Sequence, residues 1–194
     1  MNVGVLIMAG GEGNRMGGQD KGMVMWKNKA FIDHVIDRIG PQVSHIAISA
    51  NRNLEEYAKR STHVFPDARQ WQGLGPLAAL CTAANDIQLA KTDWLLIVPC
   101  DSLNLPHNLV ETFLNAARKS PVASAFYAQT GAQPHYSIMF IRPQLLQSTV
   151  AYLYTGMRTL RGWLQQQRAR PVPFASEAEF VNYNSPQDME NTPC

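Results

Sequence analysis

The sequence predicts an α/β fold, a three-layer sandwich around a mostly parallel sheet, from three observations. Short apolar runs alternate with segments of helical periodicity four times before Ser120. Each run opens into a loop marked by glycine, proline or asparagine, which is the strand, loop, helix rhythm of an α/β sheet. The fourth run, Trp94 to Val98, holds five consecutive apolar residues between Asp93 and Pro99, as a central strand would.

Taken in order, Val3 to Met8 reads as a buried strand. It runs into Ala9-Gly10-Gly11-Glu12-Gly13-Asn14-Arg15-Met16-Gly17-Gly18-Gln19-Asp20-Lys21, a loop with five glycines and two cations. Glycines let backbone N–H groups converge on one point, and an anion is what such a concavity holds. Arg15 and Lys21 make a phosphate chain the expected anion. A turn at Lys27-Asn28-Lys29 precedes Phe31, Ile32, Val35, Ile36 and Ile39, which recur at helical spacing until Gly40-Pro41. Ile46 to Ala50 is the second strand, followed by Asn51-Arg52-Asn53 and a short helix from Leu54 to Arg60. Val64-Phe65 is the third strand, ended by Pro66-Asp67. Gly73 and Gly75 permit a tight turn, and Pro76 suits the first position of a helix to about Ala84, whose N-terminus would face a ligand. After the fourth strand come Pro99-Cys100-Asp101-Ser102, then a helix opened by Pro106 and reaching about Ala117.

Beyond Ser120, Val122 to Ala128 and Ser137 to Ile141 are strand candidates separated by a loop that carries His135. Leu145 to Tyr154 and Thr159 to Arg168 are helical. Val172 to Phe174 and Phe180 to Tyr183 are short runs expected to pair at an edge. Ser185-Pro186 caps a last helix with an acidic first turn. The expected organisation is one domain over residues 1–194, with a nucleotide-binding half over 1–120 and an acceptor-binding half over 121–194.

The chain has 194 residues, 45% apolar and 16% charged, with a formal net charge of +2. That balance is too weak for a nucleic-acid footprint, and no apolar run is long enough to span a bilayer. Three cysteines, Cys81, Cys100 and Cys194, are far apart and odd in number, against a disulfide framework or a structural zinc site. A reduced, cytoplasmic setting is expected, with no secretory signal at the start.

In an α/β sheet the ligand lies beyond the carboxyl ends of the strands. The glycine loop, Asp67 and Asp101 all fall at such ends. The loop is not a P-loop, since no Gly-x-x-x-x-Gly-Lys-Ser/Thr run occurs. It is not a dinucleotide fingerprint either, because Gly11, Gly13 and Gly17 are one residue too widely spaced and the second strand ends without an acid. A nucleoside triphosphate brings Mg²⁺, which takes one or two protein carboxylates beside phosphate oxygens. Asp101 suits that ligand, or else braces the loop; Asp67 suits a ribose or metal-water contact, or else a turn. Lys21 can neutralise phosphates as a point charge, or else pair with Asp20. Cys100 reads as a buried thiol rather than a nucleophile, and His135 as a contact to a second substrate or a surface histidine. Nucleotidyl transfer to a phosphate needs no activated nucleophile, because the acceptor is already an anion.

Met8-Ala9-Gly10-Gly11, Arg15-Met16-Gly17-Gly18, Asp20-Lys21, Gly75-Pro76-Leu77, Pro99-Cys100-Asp101 and Asn182-Tyr183-Asn184-Ser185-Pro186 together resemble the motifs of the molybdenum cofactor guanylyltransferases, in the same order. The resemblance spans essentially the whole chain. It implies a Rossmann-like nucleotidyltransferase fold and transfer of GMP from GTP to the terminal phosphate of molybdenum-bearing molybdopterin, with release of pyrophosphate. It further implies that Met8, Ala9, Gly10 and Gly11 hold the guanine nucleotide, that Lys21 contacts its phosphates, and that Asp67 contacts the nucleotide. Asp101 is the implied Mg²⁺ ligand, and Asn182 and Asn184 lie on the molybdopterin side. Arg15, Lys21 and Asp101 are then the catalytic set, in a cytoplasmic monomer that deals with molybdenum-insertion and molybdoenzyme maturation proteins. Met8, Ser49 and Ala79 stand where the family commonly has Leu, Asn and Gly, which bears on base selectivity. A cytidylyltransferase of the same fold usually has Ala-Ala-Gly where this chain has Ala9-Gly10-Gly11. A sugar-phosphate nucleotidyltransferase would lack the Asn182 to Pro186 ending, and a carrier without transfer activity would not need Lys21 and Asp101 together.

Overall fold

A computed structural model describes residues 1–10, 18–184 and 188. Gly11, Arg15, Cys194 and, apart from Asp188, the expected C-terminal helix lie outside the described residues.

Seven strands form one sheet: β1 (Val3–Met8), β4 (His45–Ser49), β5 (Val64–Phe65), β6 (Trp94–Pro99), β7 (Ala125–Thr130), β8 (Gln133–Ile141) and β9 (Arg170–Phe174). Two more, β2 (Met25–Trp26) and β3 (Lys29–Ala30), make a small separate hairpin around Lys27 and Asn28, both at positive φ. The spatial order is β5-β4-β1-β6-β8-β7-β9. Strands β5, β4, β1 and β6 run parallel, β8 is antiparallel to both β6 and β7, and β9 is parallel to β7.

Side chains alternate across a strand, so a strand buried on both faces is apolar throughout. In β1, Val3, Val5 and Ile7 enter one core and Leu6 the other. In β6, Trp94, Leu96 and Val98 go one way, Leu95 and Ile97 the other. The first core is closed by α1 (Phe31–Ile39), α2 (Leu54–Ala58) and α5 (Leu109–Lys119), through Phe31, Val35, Tyr57 and Phe113. The second is closed by α3 (Pro76–Ala83), α4 (Ile87–Ala90), α6 (Gln147–Tyr154) and α7 (Leu160–Gln166), through Leu77, Leu80, Leu153 and Trp163. The result is the expected α/β sandwich with a largely parallel sheet.

Five elements differ from expectation. Strand β7 covers Ala125–Thr130 rather than Val122 to Ala128, and Val122 is exposed. Helix α5 starts at Leu109 rather than at Pro106, because Gln42 takes the role of the cap: its Nε2 donates to the Pro106 carbonyl at 3.0 Å and its Oε1 accepts the Val110 N–H at 2.9 Å. Strand β8 begins at Gln133, where a loop was expected, and Gly131 at φ +53 makes a tight hairpin from β7. The polar start of β8 is only partly covered, so it carries no apolar run. Val172 to Phe174 pairs with β7 and not with the segment after Phe180. Phe180 to Tyr183, expected as a strand, instead begins at the last residue of a 3-10 turn, Glu177–Phe180, and is in no ladder among the described residues; Phe180 and Tyr183 are buried singly.

Candidate functional site

Strands β1, β4, β5 and β6 are parallel, so their carboxyl ends deliver Gly10, Asn51, Asp67 and Asp101 to one edge of the sheet. The Ala9 N–H donates to the Ser49 carbonyl at 2.7 Å, and the Cys100 N–H to the Met8 carbonyl at 3.0 Å, which extends the ladder just past the strand ends. A cleft of about 880 Å³ lies there, lined by Met8, Gly10, Lys21, Asn51, Arg52, Asp67, Gln72, Gly73, Gly75, Pro76, Ala79, Pro99, Cys100, Asp101 and Ser137. Gly75, at φ +67, turns the chain so that Pro76 opens α3 against the cleft. Among the described residues no side chain caps that helix, so its first N–H groups offer positive partial charge on this side.

Lys21 sits in a 3-10 turn, Lys21–Met23, directly after the glycine loop. The anchor of that turn is Asp20, which is buried and accepts from Tyr57 Oη at 2.6 Å, Asn53 Nδ2 at 2.9 Å and the Gly22 N–H at 3.2 Å. Asp20 is therefore committed to the scaffold, which corrects the alternative that it pairs with Lys21. The Lys21 ammonium instead forms an ion pair with Asp101 and donates to Asn184 Oδ1 at 2.7 Å.

Asp101 is only 7% exposed, and its Oδ1 is buried with no hydrogen-bond partner among the described residues. A buried carboxylate oxygen left open beside a cleft needs a cation or a donor. That donor set fits Mg²⁺, a hard cation that takes one or two carboxylates and completes its shell with phosphate oxygens and water. No group of three or more His, Cys, Asp or Glu suited to a metal occurs among the described residues, so most ligands would come from the substrate.

The Asn182 to Asn184 segment reaches this site because Tyr183 is fully buried. Its ring packs on Trp26 and Phe31, its hydroxyl accepts from Asn104 Nδ2 at 2.8 Å, and its N–H donates to the Asp101 carbonyl at 3.0 Å. With Tyr183 driven inward, its neighbours face the site: Asn182 Oδ1 accepts from Ser102 Oγ at 2.7 Å, and Asn184 meets Lys21. The sequence places Tyr183 in the Asn182 to Pro186 motif and in the run Phe180 to Tyr183 but gives it no role; an aromatic between two asparagines was the signal.

Asp67, 7% exposed, is held from two sides. Ser49 Oγ donates to its Oδ1 at 3.3 Å and Asn51 Nδ2 to its Oδ2 at 2.8 Å. Arg52, also missed as a site residue, donates to the carbonyls of Gly18 at 2.7 Å and Gln19 at 3.3 Å. It thereby fixes the exit of the glycine loop to the end of β4. Cys100 is buried, and desolvation followed by the nearby Asp101 charge pushes its thiol well above the usual range, so it is no nucleophile. His135 lies on β8, hydrogen-bonded to Thr130 Oγ1 at 2.7 Å and stacked on Phe180. Burial lowers its pKa from the ordinary 6.5.

Residues 5–172 match the model of the MobA-like NTP transferase domain. A molybdenum cofactor guanylyltransferase from Neisseria meningitidis serogroup C is 59% identical over 98% of this chain and 99% of its own length. One from a Shewanella species, strain MR-4, is 39% identical over 98% and 94%. Among solved structures, molybdopterin-guanine dinucleotide biosynthesis protein A from Archaeoglobus fulgidus superposes with a TM-score of 0.72 at 18% identity, covering 96% of this chain and 95% of its own. CMP:2-keto-3-deoxy-manno-octonic acid synthetase complexed with CTP superposes at 0.75 with 13% identity, over 98% and 96%. These last two are likenesses of fold.

Proposed function

The chain belongs to the MobA-like NTP transferase family, and on that basis we propose that its cleft passes GMP from GTP to the terminal phosphate of molybdenum-bearing molybdopterin. The protein is an enzyme, a nucleotidyltransferase of molybdenum cofactor biosynthesis, and its product is the guanine dinucleotide form of the cofactor. The observation that carries the reading is the meeting of Lys21, Asp101 and Asn184 from three distant parts of the chain, with Lys21 and Asp101 lining one cleft.

The acceptor phosphate is already a nucleophile. Its oxygen forms a bond to the α-phosphorus of GTP while the bond from that phosphorus to the β-bridging oxygen breaks, and pyrophosphate leaves with the electron pair. No proton has to move, so the protein's contributions are alignment and charge neutralisation. The nucleotide lies with its base toward Met8, Ala9, Gly10 and Gly11, its nucleoside within reach of Asp67, and its triphosphate along the glycine loop. Lys21 and Arg15 stabilise the leaving pyrophosphate. Asp101 would hold Mg²⁺, which when bound supplies positive charge to the phosphate oxygens. Lys21 neutralises Asp101; a cation held by Asp101 would supply that charge instead and leave the Lys21 ammonium for the phosphates. Asn182 and Asn184 belong to the acceptor side and tie it to the phosphate site through Ser102 and Lys21.

We extend the same reading to a cytoplasmic monomer of one domain that receives and hands on its cofactor through molybdenum-insertion and molybdoenzyme maturation proteins. Among the described residues no helix is long and apolar enough to cross a membrane.

The test is pyrophosphate release by purified protein with Mg²⁺ and molybdenum-loaded molybdopterin, comparing GTP, CTP, ATP and UTP. GTP-selective release supports the proposal. Preference for CTP moves the protein to cytidylyl transfer, and nucleotide binding without release favours a carrier.

A further inference from the structure

We propose that Asn51 is a positioning residue that sets nucleotide affinity through Asp67 and makes no contact of its own with the nucleotide, an inference that rests on the nucleotidyltransferase reading. Asn51 follows β4 and lines the cleft, where a polar side chain at a nucleotide site would ordinarily be taken as a ligand contact. Its amide group is already committed. One amide carries two N–H donors and one carbonyl oxygen. Nδ2 donates to Asp67 Oδ2 at 2.8 Å and to the Gly10 carbonyl at 3.2 Å, which uses both hydrogens, and Oδ1 accepts the Asp67 N–H at 2.8 Å. The orientation of the amide is not arbitrary. Turned over, it would set its oxygen against a carboxylate and its NH₂ against a backbone N–H.

The consequence falls on Asp67. Its backbone and one carboxylate oxygen are gripped by the same side chain, and Ser49 Oγ reaches the other oxygen at 3.3 Å. The side chain is thereby held in one rotamer at the cleft wall. An ionised carboxylate accepts hydrogen bonds and gives none, and it has about four lone-pair directions, of which neutral donors here take two. The remaining directions suit the donors of a nucleoside, its hydroxyl or ring N–H and amino groups. Pre-orientation of an acceptor spares the ordering cost on binding, so its loss appears as weaker binding.

Gly10 belongs to the same device. A Cβ added there would lie 2.8 Å from Asn51 Nδ2 and 3.5 Å from Asp67 Oδ2. The absence of a side chain at Gly10 is what lets Asn51 seat on the exit of β1. One amide thus fastens the ends of β1, β4 and β5 around one carboxylate.

A double-mutant cycle tests this by calorimetric titration of the whole protein with GTP and Mg²⁺, using wild type, Asn51→Ala, Asp67→Ala and the double variant, with thermal melts as the check on folding. Asn51→Ala is expected to weaken GTP about tenfold, the scale of one hydrogen bond to a charged group that is no longer well aligned. In the Asp67→Ala background the same change is expected to alter affinity less than about twofold, since its route of action is gone. Turnover at saturating GTP should fall far less than the Michaelis constant rises. Should Asn51→Ala not fold, the isosteric Asn51→Asp, which cannot donate to Asp67, serves in the same cycle. Equal losses in both backgrounds would overturn the proposal, as would wild-type affinity in Asn51→Ala. If the wild type binds CTP in place of GTP, the guanine reading fails, and the cycle run with CTP still decides the role of Asn51. Binding of no nucleotide by the wild type overturns both.

Discussion

Lys21 is pulled in two directions, and its surroundings say what each is worth. In the structure its ammonium neutralises Asp101, a carboxylate that has one oxygen without a partner among the described residues. In the function proposed above the same ammonium serves the phosphates. The Lys21→Met variant should therefore act with opposite sign on the two ligands. GTP affinity should fall by about tenfold to a hundredfold, the loss of one charge-assisted hydrogen bond. Binding of Mn²⁺ to the nucleotide-free protein should tighten, because Asp101 loses its competing cation. Calorimetry for GTP and Mn²⁺ titration by paramagnetic resonance measure both, and weaker Mn²⁺ binding would place the metal elsewhere. At this scale the sequence was legible where chemistry is concentrated: Lys21, Asp67 and Asp101 stand beside glycine, proline or strand ends. It was not legible for Arg52 and Tyr183. Arg52 acts on backbone carbonyls and Tyr183 by burial, and neither action leaves a local pattern.

The element that aims Lys21 is the 3-10 turn Lys21–Met23, and it is braced by α2 rather than by the sheet. Gly22 is buried under Tyr57: a Cβ added there would lie 2.2 Å from the Tyr57 hydroxyl oxygen. That hydroxyl is not free to give way, since it donates to buried Asp20 at 2.6 Å and the ring is fully buried. Gly22→Ala should cost about 1–3 kcal/mol of stability, the range for overpacking a core, with a loss of GTP affinity on top because the turn shifts. Urea unfolding and GTP titration on the same variant separate the two effects; unchanged stability would mean that Tyr57 does not brace the turn. Three strands that the sequence made plain, β1, β4 and β6, send side chains into both cores, and each holds at least three consecutive apolar residues. Those it blurred lie toward the other side of the sheet. β9 reads Arg-Pro-Val-Pro-Phe, and two prolines are tolerated there because the strand pairs on one side only. The run at Phe180 to Tyr183 reads as a strand by composition, yet Phe180 and Tyr183 are buried by aromatic packing, which composition does not distinguish.

For the whole molecule, the two histidines with lowered pKa differ in place: His45 lies away from the cleft, whereas His135 stands on β8 two residues from cleft-lining Ser137. His45 is the first residue of β4, at the opposite end of that strand from Ser49, and its Nε2 is 2.7 Å from His63 Nδ1. His63 Nε2 lies 2.6 Å from Asp86 Oδ2, and Asp86 also caps α4 through the N–H groups of Gln88 and Leu89. Burial, and then His63, lower the His45 pKa from the ordinary 6.5, partly offset by Asp86. Burial likewise lowers that of His135, partly offset by Glu177. In both cases the unfolded chain takes up its proton at a higher pH than the folded one. Acidification from above 6.5 therefore favours the unfolded state, and the loss continues until the depressed folded value is passed. Stability should be greatest above neutral pH and fall from about pH 7.5 to about pH 5.5, a window set by the unperturbed histidine value. Replacing both residues by glutamine, which keeps a donor near each Nε2 and does not titrate, should flatten that fall in thermal melts. Melting profiles that fall equally in wild type and double variant would assign the pH dependence to other groups. GTP affinity measured at the two pH values should respond much less to His45→Gln alone than stability does, since His45 lies at the opposite end of β4 from the cleft. The groups that hold the cleft together, Asp67 with Asn51 and Lys21 with Asp101, are tied to one another at the far ends of the strands.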